Sequence, residues 1–307
     1  MNAASDKSTS VVVAIDGSPA SDAALIWAAG EANSRREPLL IFTACPPLEI
    51  PPSSAHETAA DRLMSSVLDA ARMRRKEYED IVAHASSRVH KDYPSLVIRT
   101  EVFEGDPRTA IELYESLASM LVLGSRGLGS VRTVLLGSVS FWATRHLSIP
   151  TVIVRPSDDE RMSVPRRIAV GISAESNSEI TLRQAFSMAA RRGCPLTIAN
   201  AAWDSQASGS GWERLPDDQV EPRRFRAVTE LVAQIAPDYP DVVYQVVFAR
   251  GQVDRFLASL GHTHSALVIG RRKSTLMDYV GLGTLASSVV EHAVGATVII
   301  PIEGAQS

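Results

Sequence analysis

The chain repeats itself, and that feature limits its fold more than any other. Val11-Val12-Val13-Ala14-Ile15-Asp16 is an apolar run ending in a carboxylate. Ile168-Ala169-Val170-Gly171-Ile172-Ser173 has the same shape 157 residues later. Leu39 to Ala44 and Leu196 to Ala201 keep that offset. Further on the offset becomes 146: Asp92-Tyr93-Pro94 matches Asp238-Tyr239-Pro240, and Leu121-Val122-Leu123-Gly124 matches Leu267-Val268-Ile269-Gly270. Gly137-Ser138 matches Gly283-Thr284, His146 matches His292, and Thr151-Val152-Ile153 matches Thr297-Val298-Ile299. One constant offset across such different residue types points to a duplicated domain. The first copy then carries about 11 extra residues between Cys45 and Asp92, near the Pro-rich stretch Pro46 to Ser54. The expected domains are 1–156 and 167–307, joined by a polar linker at 157–166 that holds Ser157-Asp158-Asp159-Glu160 and Pro165.

Within one copy, Val11 to Ile15 is continuously apolar, as a strand buried on both faces requires. Ser18-Pro19 then offers an N-cap followed by proline at the first helical position. The helix is expected to run toward Asn33, with Leu39 to Thr43 as the second strand. Ala59 to Arg88 reads as a long charged helix, and Leu96 to Phe103 as the third strand. Asp106-Pro107 opens a helix ending near Ser119, and Met120 to Leu123 is the fourth strand. Ser138 to Leu147 is a short helix and Thr151 to Val154 the last strand. Alternating strands and helices with right-handed crossovers imply an α/β fold: a doubly wound, Rossmann-like parallel sheet in each copy. Ligands in such sheets sit beyond the carboxyl ends of the strands, at the switch point.

Thirty-one Lys+Arg against thirty-five Asp+Glu give a net charge of −4, which offers no electrostatic case for nucleic-acid or anionic-membrane binding. Two cysteines, Cys45 and Cys194, cannot build a disulfide scaffold, fit a reducing compartment, and read as small buried hydrophobes. No run reaches the ~18 apolar residues of a membrane span, and Met1 to Ser10 lacks a signal-peptide core. A cytoplasmic protein is expected.

The chemistry concentrates after the fourth strand, in Gly124-Ser125-Arg126-Gly127-Leu128-Gly129-Ser130 and then Gly137-Ser138 opening a helix. Glycines permit close backbone approach, and N–H groups at a helix start can point at phosphate oxygens. Ser138 and Ser140 add hydroxyl donors. Asp16, at the same sheet edge, is an acceptor suited to ribose hydroxyls or an adenine amine.

Asp16 with Gly124, Gly127 and Gly137-Ser138 at this spacing resembles the ATP-binding branch of the universal stress protein family, over nearly the whole chain as two tandem domains. The resemblance implies two five-stranded sheets of strand order 3-2-1-4-5, similar to the adenine nucleotide alpha hydrolase fold. It implies adenine near Asp16 and Ala44, and ribose and phosphates at Gly124, Gly127, Gly137, Ser138, Val139 and Ser140. It implies ATP, with or without magnesium, as the bound cofactor, and dimerisation through the last strand. The duplication could instead satisfy that pairing within one chain. The second copy keeps Gly270, Gly283 and Thr284 but has Ser173 for the aspartate and Lys273 for the second glycine, so nucleotide is expected chiefly in the first domain.

Other signals are weaker. The P-loop and dinucleotide fingerprints are absent. His262-Thr263-His264 lacks a third ligand and reads as surface histidines. No base, nucleophile and electrophile set emerges, so at most weak ATP hydrolysis is expected. The expected function is a regulatory or sensing role in stress response, with an unidentified protein partner and with nucleotide ordering the loop from Ser125 to Leu136. The alternatives are a nucleotide-independent scaffold with vestigial sites and, behind it, a slow ATPase.

Overall fold

The computed structural model describes residues 9–47, 57–127, 136–156, 166–174, 178–205, 211–272 and 285–302, with side chains from residue 67 onward in the segment that starts at 57. The expected linker at 157–166 and the centre of the Ser125–Leu136 loop lie almost wholly outside these residues.

The first copy runs β1 (Ser10–Ala14), α1 (Pro19–Arg35), β2 (Leu39–Cys45), α2 (Glu57–Asp92), β3 (Ile98–Glu104), α3 (Pro107–Glu115), β4 (Ala118–Gly124), α4 (Ser138–His146) and β5 (Thr151–Arg155). The second runs β6 (Ile168–Gly171), α5 (Glu179–Arg192), β7 (Leu196–Ala202), β8 (Trp212–Leu215), α6 (Pro222–Ile235), β9 (Tyr244–Gly251), α7 (Val253–Leu260), β10 (Ala266–Arg272), α8 (Leu285–His292) and β11 (Gly295–Ile302). Helix starts follow the cap chemistry: Ser18 Oγ accepts from Ser21 N, Asp106 accepts from Arg108 N, and proline follows each cap. Helix α3 ends earlier than its sequence suggested, because Ala118 and Ser119 already belong to β4. The length difference between copies falls in the crossover after the second strand. There α2 has 36 residues against 14 in α6, and the second copy inserts β8 instead.

Each copy has the order 3-2-1-4-5, but the two sheets are not separate. They join edge to edge into one eleven-stranded sheet, β3-β2-β1-β4-β5-β11-β10-β6-β7-β9-β8. The seam is antiparallel, pairing Arg155 with Gly295 through Thr151 with Ile299. Each last strand therefore gains a full set of ladder partners instead of a bare edge. The expected last-strand pairing is thus made within the chain. Strand β8 lies antiparallel on β9 and covers the far edge of the second copy.

Helices bury both faces of the inner strands, while β3 stays largely exposed. Val11, Val13, Ile41 and Val122 pack with α1, α2, α5 and α6 on one side; Val12, Phe42, Leu121 and Leu123 pack with the other four helices on the opposite side. Cys45 and Cys194 are buried free thiols. Among the described residues no helix is long and apolar enough to cross a membrane.

Polar contacts close the seam on both faces. Glu31 of α1 is fully buried and meets Arg35 at 2.6 Å, Arg191 at 3.0 Å and Arg192 at 2.6 Å, the last two from α5. The Arg192 guanidinium also lies over the Trp27 ring at 4.9 Å. On the other face, Arg271 reaches from β10 to the end of α4 and donates to the carbonyls of Arg145 and Leu147.

His262 is exposed as expected, but His264 is buried. Its Nε2 lies 2.9 Å from Thr197 Oγ1 and its Nδ1 3.0 Å from Leu260 O. Burial lowers its pKa, outweighing the Leu260 carbonyl that favours the charged ring. The native state therefore takes up the proton at lower pH than the unfolded chain, which protonates near ~6.5. This contribution to stability is whole above that value and is lost as pH falls through the native pKa. Urea midpoints measured from about pH 7 down to 5 should fall for the native protein, and less steeply for His264→Asn.

Candidate functional site

The site is built where β1, β4 and α4 meet. After β1 the chain turns at Asp16-Gly17-Ser18. Gly17 has φ +80°, a left-handed value that suits glycine. Asp16 Oδ1 accepts from Ser18 N at 3.0 Å, so the carboxylate is held by its own turn. Ser18, as its sequence suggests, is the N-cap of α1, which leaves the Asp16 carboxylate outside the cap.

Gly124 ends β4 against the first turn of α1. A Cβ there would lie 2.7–2.8 Å from the backbone of Ala20 and Ser21. Ser18 Oγ donates to Arg126 O at 3.3 Å, tying the β1 turn to the β4 turn. Gly127 then lies directly against Asp16, so that an added Cβ would collide with Asp16 Oδ2. Gly137 N donates to Ser125 O at 2.8 Å, and Ser140 Oγ donates to Gly124 O at 2.7 Å. These two bonds set the start of α4 beside the same strand end.

Asp16, Gly124, Gly127, Gly137, Ser138, Val139 and Ser140 therefore form one cluster. Their parts differ from one another. The Ser140 hydroxyl proton is engaged within the protein, whereas Ser138 is exposed. Val139 is half-buried and packs on the sheet. Gly137 is the N-cap of α4 and makes no side-chain cap bond, so among the described residues the first-turn N–H groups have no counterpart of the hydroxyl and carboxylate that close α1 and α3. Ala44 lies at the end of β2, half-buried, on the face that holds Phe42 and Ala14. Buried Ser125 Oγ and Thr43 Oγ1 have no hydrogen-bond partner among the described residues.

The second copy uses the same place differently. Ser173, in place of the aspartate, has its N–H bonded to Ser178 Oγ at 3.1 Å. Gly270 is a packing glycine: a Cβ would lie 2.8 Å from Thr181 Oγ1 and would collide with Ile302. Arg271 stands where the first copy has Ser125, and its guanidinium leaves the domain for α4. Lys273, Gly283 and Thr284 lie outside the described residues. Arg224 fills the strand-end polar positions, donating to Asn200 Oδ1 at 2.5 Å and to the carbonyls of Asn200 and Ala249 at 2.8 Å. Burial is the main cause of its lowered pKa. Sequence reasoning passed over Arg271, Arg224 and Glu31. The repeat offset alone would have flagged Arg271, since it pairs an arginine with a serine.

No group of three His, Cys, Asp or Glu is placed to hold a metal among the described residues.

Known proteins match this arrangement over nearly its full length. A universal stress protein of Mycolicibacterium smegmatis is 28% identical over 299 residues, covering 94% of this chain and 96% of that one. One from Mycobacterium tuberculosis is 29% identical over 298 residues, covering 94% and 95%. The crystal structure of a universal stress protein from Archaeoglobus fulgidus covers 96% of both chains with a TM-score of 0.64 at 16% identity, a likeness of fold. The model of the Universal stress protein family matches residues 8–155 and 165–301, one match on each copy of the repeat. With both halves matched and the sheet order shared, the chain belongs to the universal stress protein family.

Proposed function

We propose that the protein binds ATP in its first domain and serves as a nucleotide-dependent regulator or sensor in stress response. One observation carries the reading: the Asp16 carboxylate and the Gly127 backbone meet beside the start of α4, whose N-cap is a glycine with no cap side chain of its own. The donor set suits the ligand. A carboxylate fixed by Ser18 N accepts from a ribose or adenine donor. The first-turn N–H groups at Ser138 to Ser140 and the helix dipole favour an anion. Gly137 supports the same reading from another side. A Cβ on it would meet neighbours at 3.6–3.9 Å, which is ordinary contact, and its φ of −68° suits any residue. Its described surroundings do not require a glycine, whereas close approach by a phosphate would. Bound with the phosphates, magnesium would supply charge neutralisation; Asp16 is the one carboxylate of the cluster, and it is assigned to the nucleoside end.

The chemistry of the cluster is binding chemistry. It holds no nucleophile paired with a base, so turnover beyond weak hydrolysis is not part of the proposal. In the second copy the carboxylate is gone and Arg271 is committed elsewhere, which favours one nucleotide per chain.

Nucleotide released from the purified, denatured protein and quantified by mass spectrometry tests the stoichiometry. Titration with ATP tests affinity. Asp16→Asn keeps an acceptor for Ser18 N but loses the charge, and should weaken ATP by about 1.5–3 kcal/mol, or roughly 10- to 150-fold. Gly137→Ala should weaken ATP while leaving stability within about 0.5 kcal/mol. If neither variant changes retention, or if the native protein fails to bind millimolar ATP, the scaffold reading takes its place.

A further inference from the structure

We propose that Arg271 of the second domain is a positioning residue for the first domain's site, acting through α4; this rests on the nucleotide reading above. Helix α4 has nine residues, a rod of about 14 Å at 1.5 Å per residue. One end, Gly137 to Ser140, is a wall of the site. The other end is gripped by Arg271, 6% exposed, whose two terminal nitrogens donate to Arg145 O and Leu147 O. Those carbonyls belong to the last turn, where backbone acceptors lack intrahelical donors and a cation is favoured. The helix's own closing bond there, Leu147 N to Ala143 O, is long at 3.4 Å. Within the first domain, Ser140 Oγ to Gly124 O fixes only the opposite end.

Among the described residues the grip is tighter in this direction than in the reverse one. At the repeat-matched position the first domain has Ser125, which is too short to cross the seam, and its hydroxyl has no partner among the described residues. The contact that runs the other way, Arg155 Nη2 to Val290 O, is 3.4 Å long. A strand-end position whose backbone holds the start of α4 in the first domain has thus become a brace for the other end of that helix in the second. By linkage, nucleotide held at the start of α4 and the Arg271 contact at its end strengthen each other to the same degree.

Three full-length variants test this. Arg271→Met keeps volume and removes the donors. Arg271→Lys keeps a charge but cannot fork to two carbonyls. Arg192→Met loosens the seam on the opposite sheet face, away from α4. Affinities for ATP and adenosine are measured by calorimetry, and hydrogen exchange of α4 amides is followed without ligand. Arg271→Met should lower ATP affinity by about fivefold or more. Adenosine affinity should stay within about twofold, because the N–H groups of the α4 first turn are assigned to the phosphates. Arg271→Lys should fall between, Arg192→Met should match the native protein for ATP, and exchange at Phe141 to Ala143 should quicken in Arg271→Met but not in Arg192→Met. Unchanged ATP affinity in Arg271→Met overturns the proposal, as does equal loss for ATP and adenosine or equal loss in Arg192→Met. If the native protein binds no ATP but α4 exchange still quickens, the brace stands and the nucleotide reading fails; if exchange is also unchanged, both fail.

Discussion

Glu31→Gln is expected to cost about 3 kcal/mol of stability or somewhat more, the largest effect of any single substitution considered. Breaking a buried ion pair by removing one partner costs about 3–5 kcal/mol, because the remaining charge is left buried and uncompensated. Here one carboxylate with 0% exposure serves three guanidiniums, and these keep 13–25% exposure, which favours the lower end. Without it, Arg35, Arg191 and Arg192 repel one another across the seam between α1 and α5. Burial alone would push the Glu31 carboxyl up, but Arg192 and Arg35 together outweigh it and hold it below the usual carboxylate range. The native state therefore protonates at lower pH than the unfolded chain. The stabilisation is whole above the unfolded value of about 4.3 and disappears as pH falls through the native pKa. Urea denaturation at pH 7 should show the full loss in Glu31→Gln. The two proteins should converge only as pH falls below the unfolded value and through the lower native pKa. A loss under about 1 kcal/mol at pH 7 would mean that water screens this cluster like a surface pair.

Gly124→Ala comes second, at about 3 kcal/mol. Forced overpacking costs about 1–3 kcal/mol and occasionally more. The upper end applies because the atoms met at 2.7–2.8 Å are backbone of Ala20 and Ser21, which cannot rotate away. Relief requires β4 and α1 to separate, and that displaces Gly127 and Ser140 with them. Gly124→Ala should therefore lose both stability and ATP affinity, whereas Gly137→Ala should lose affinity alone. Chemical denaturation and ATP titration of the pair separate the two kinds of glycine. Equal stability of both variants would show that the strand–helix approach at Gly124 relaxes freely.

Much of the scaffold was legible residue by residue. Ser18-Pro19 and Asp106-Pro107 marked helix starts because a cap and a proline act within one turn of chain. Val11 to Val13 and Leu121 to Leu123 marked buried parallel strands because both faces demand apolar side chains. The cluster of Asp16 with Gly124, Gly127 and Gly137 could be assembled because strand ends in such a sheet converge on one edge. The individual tasks were harder to read. The same motif letter, glycine, stands for packing at Gly124 and for space beside a carboxylate at Gly127. Ser140 looks like a free donor until its bond to Gly124 O is seen. His264 looked like a surface residue because its partner Thr197 is 67 residues away.

The sequence by itself determined the duplication, the alternation of strands and helices, and the residues gathered at the first site. All of these follow from local chain chemistry or from comparing one half with the other. Only the tertiary structure decided that the halves share one sheet, that Glu31 neutralises arginines about 160 positions away, and that Arg271 serves the neighbouring domain. The reason is physical. A buried charge or an open strand edge must find a partner, but the requirement says nothing about where along the chain that partner lies.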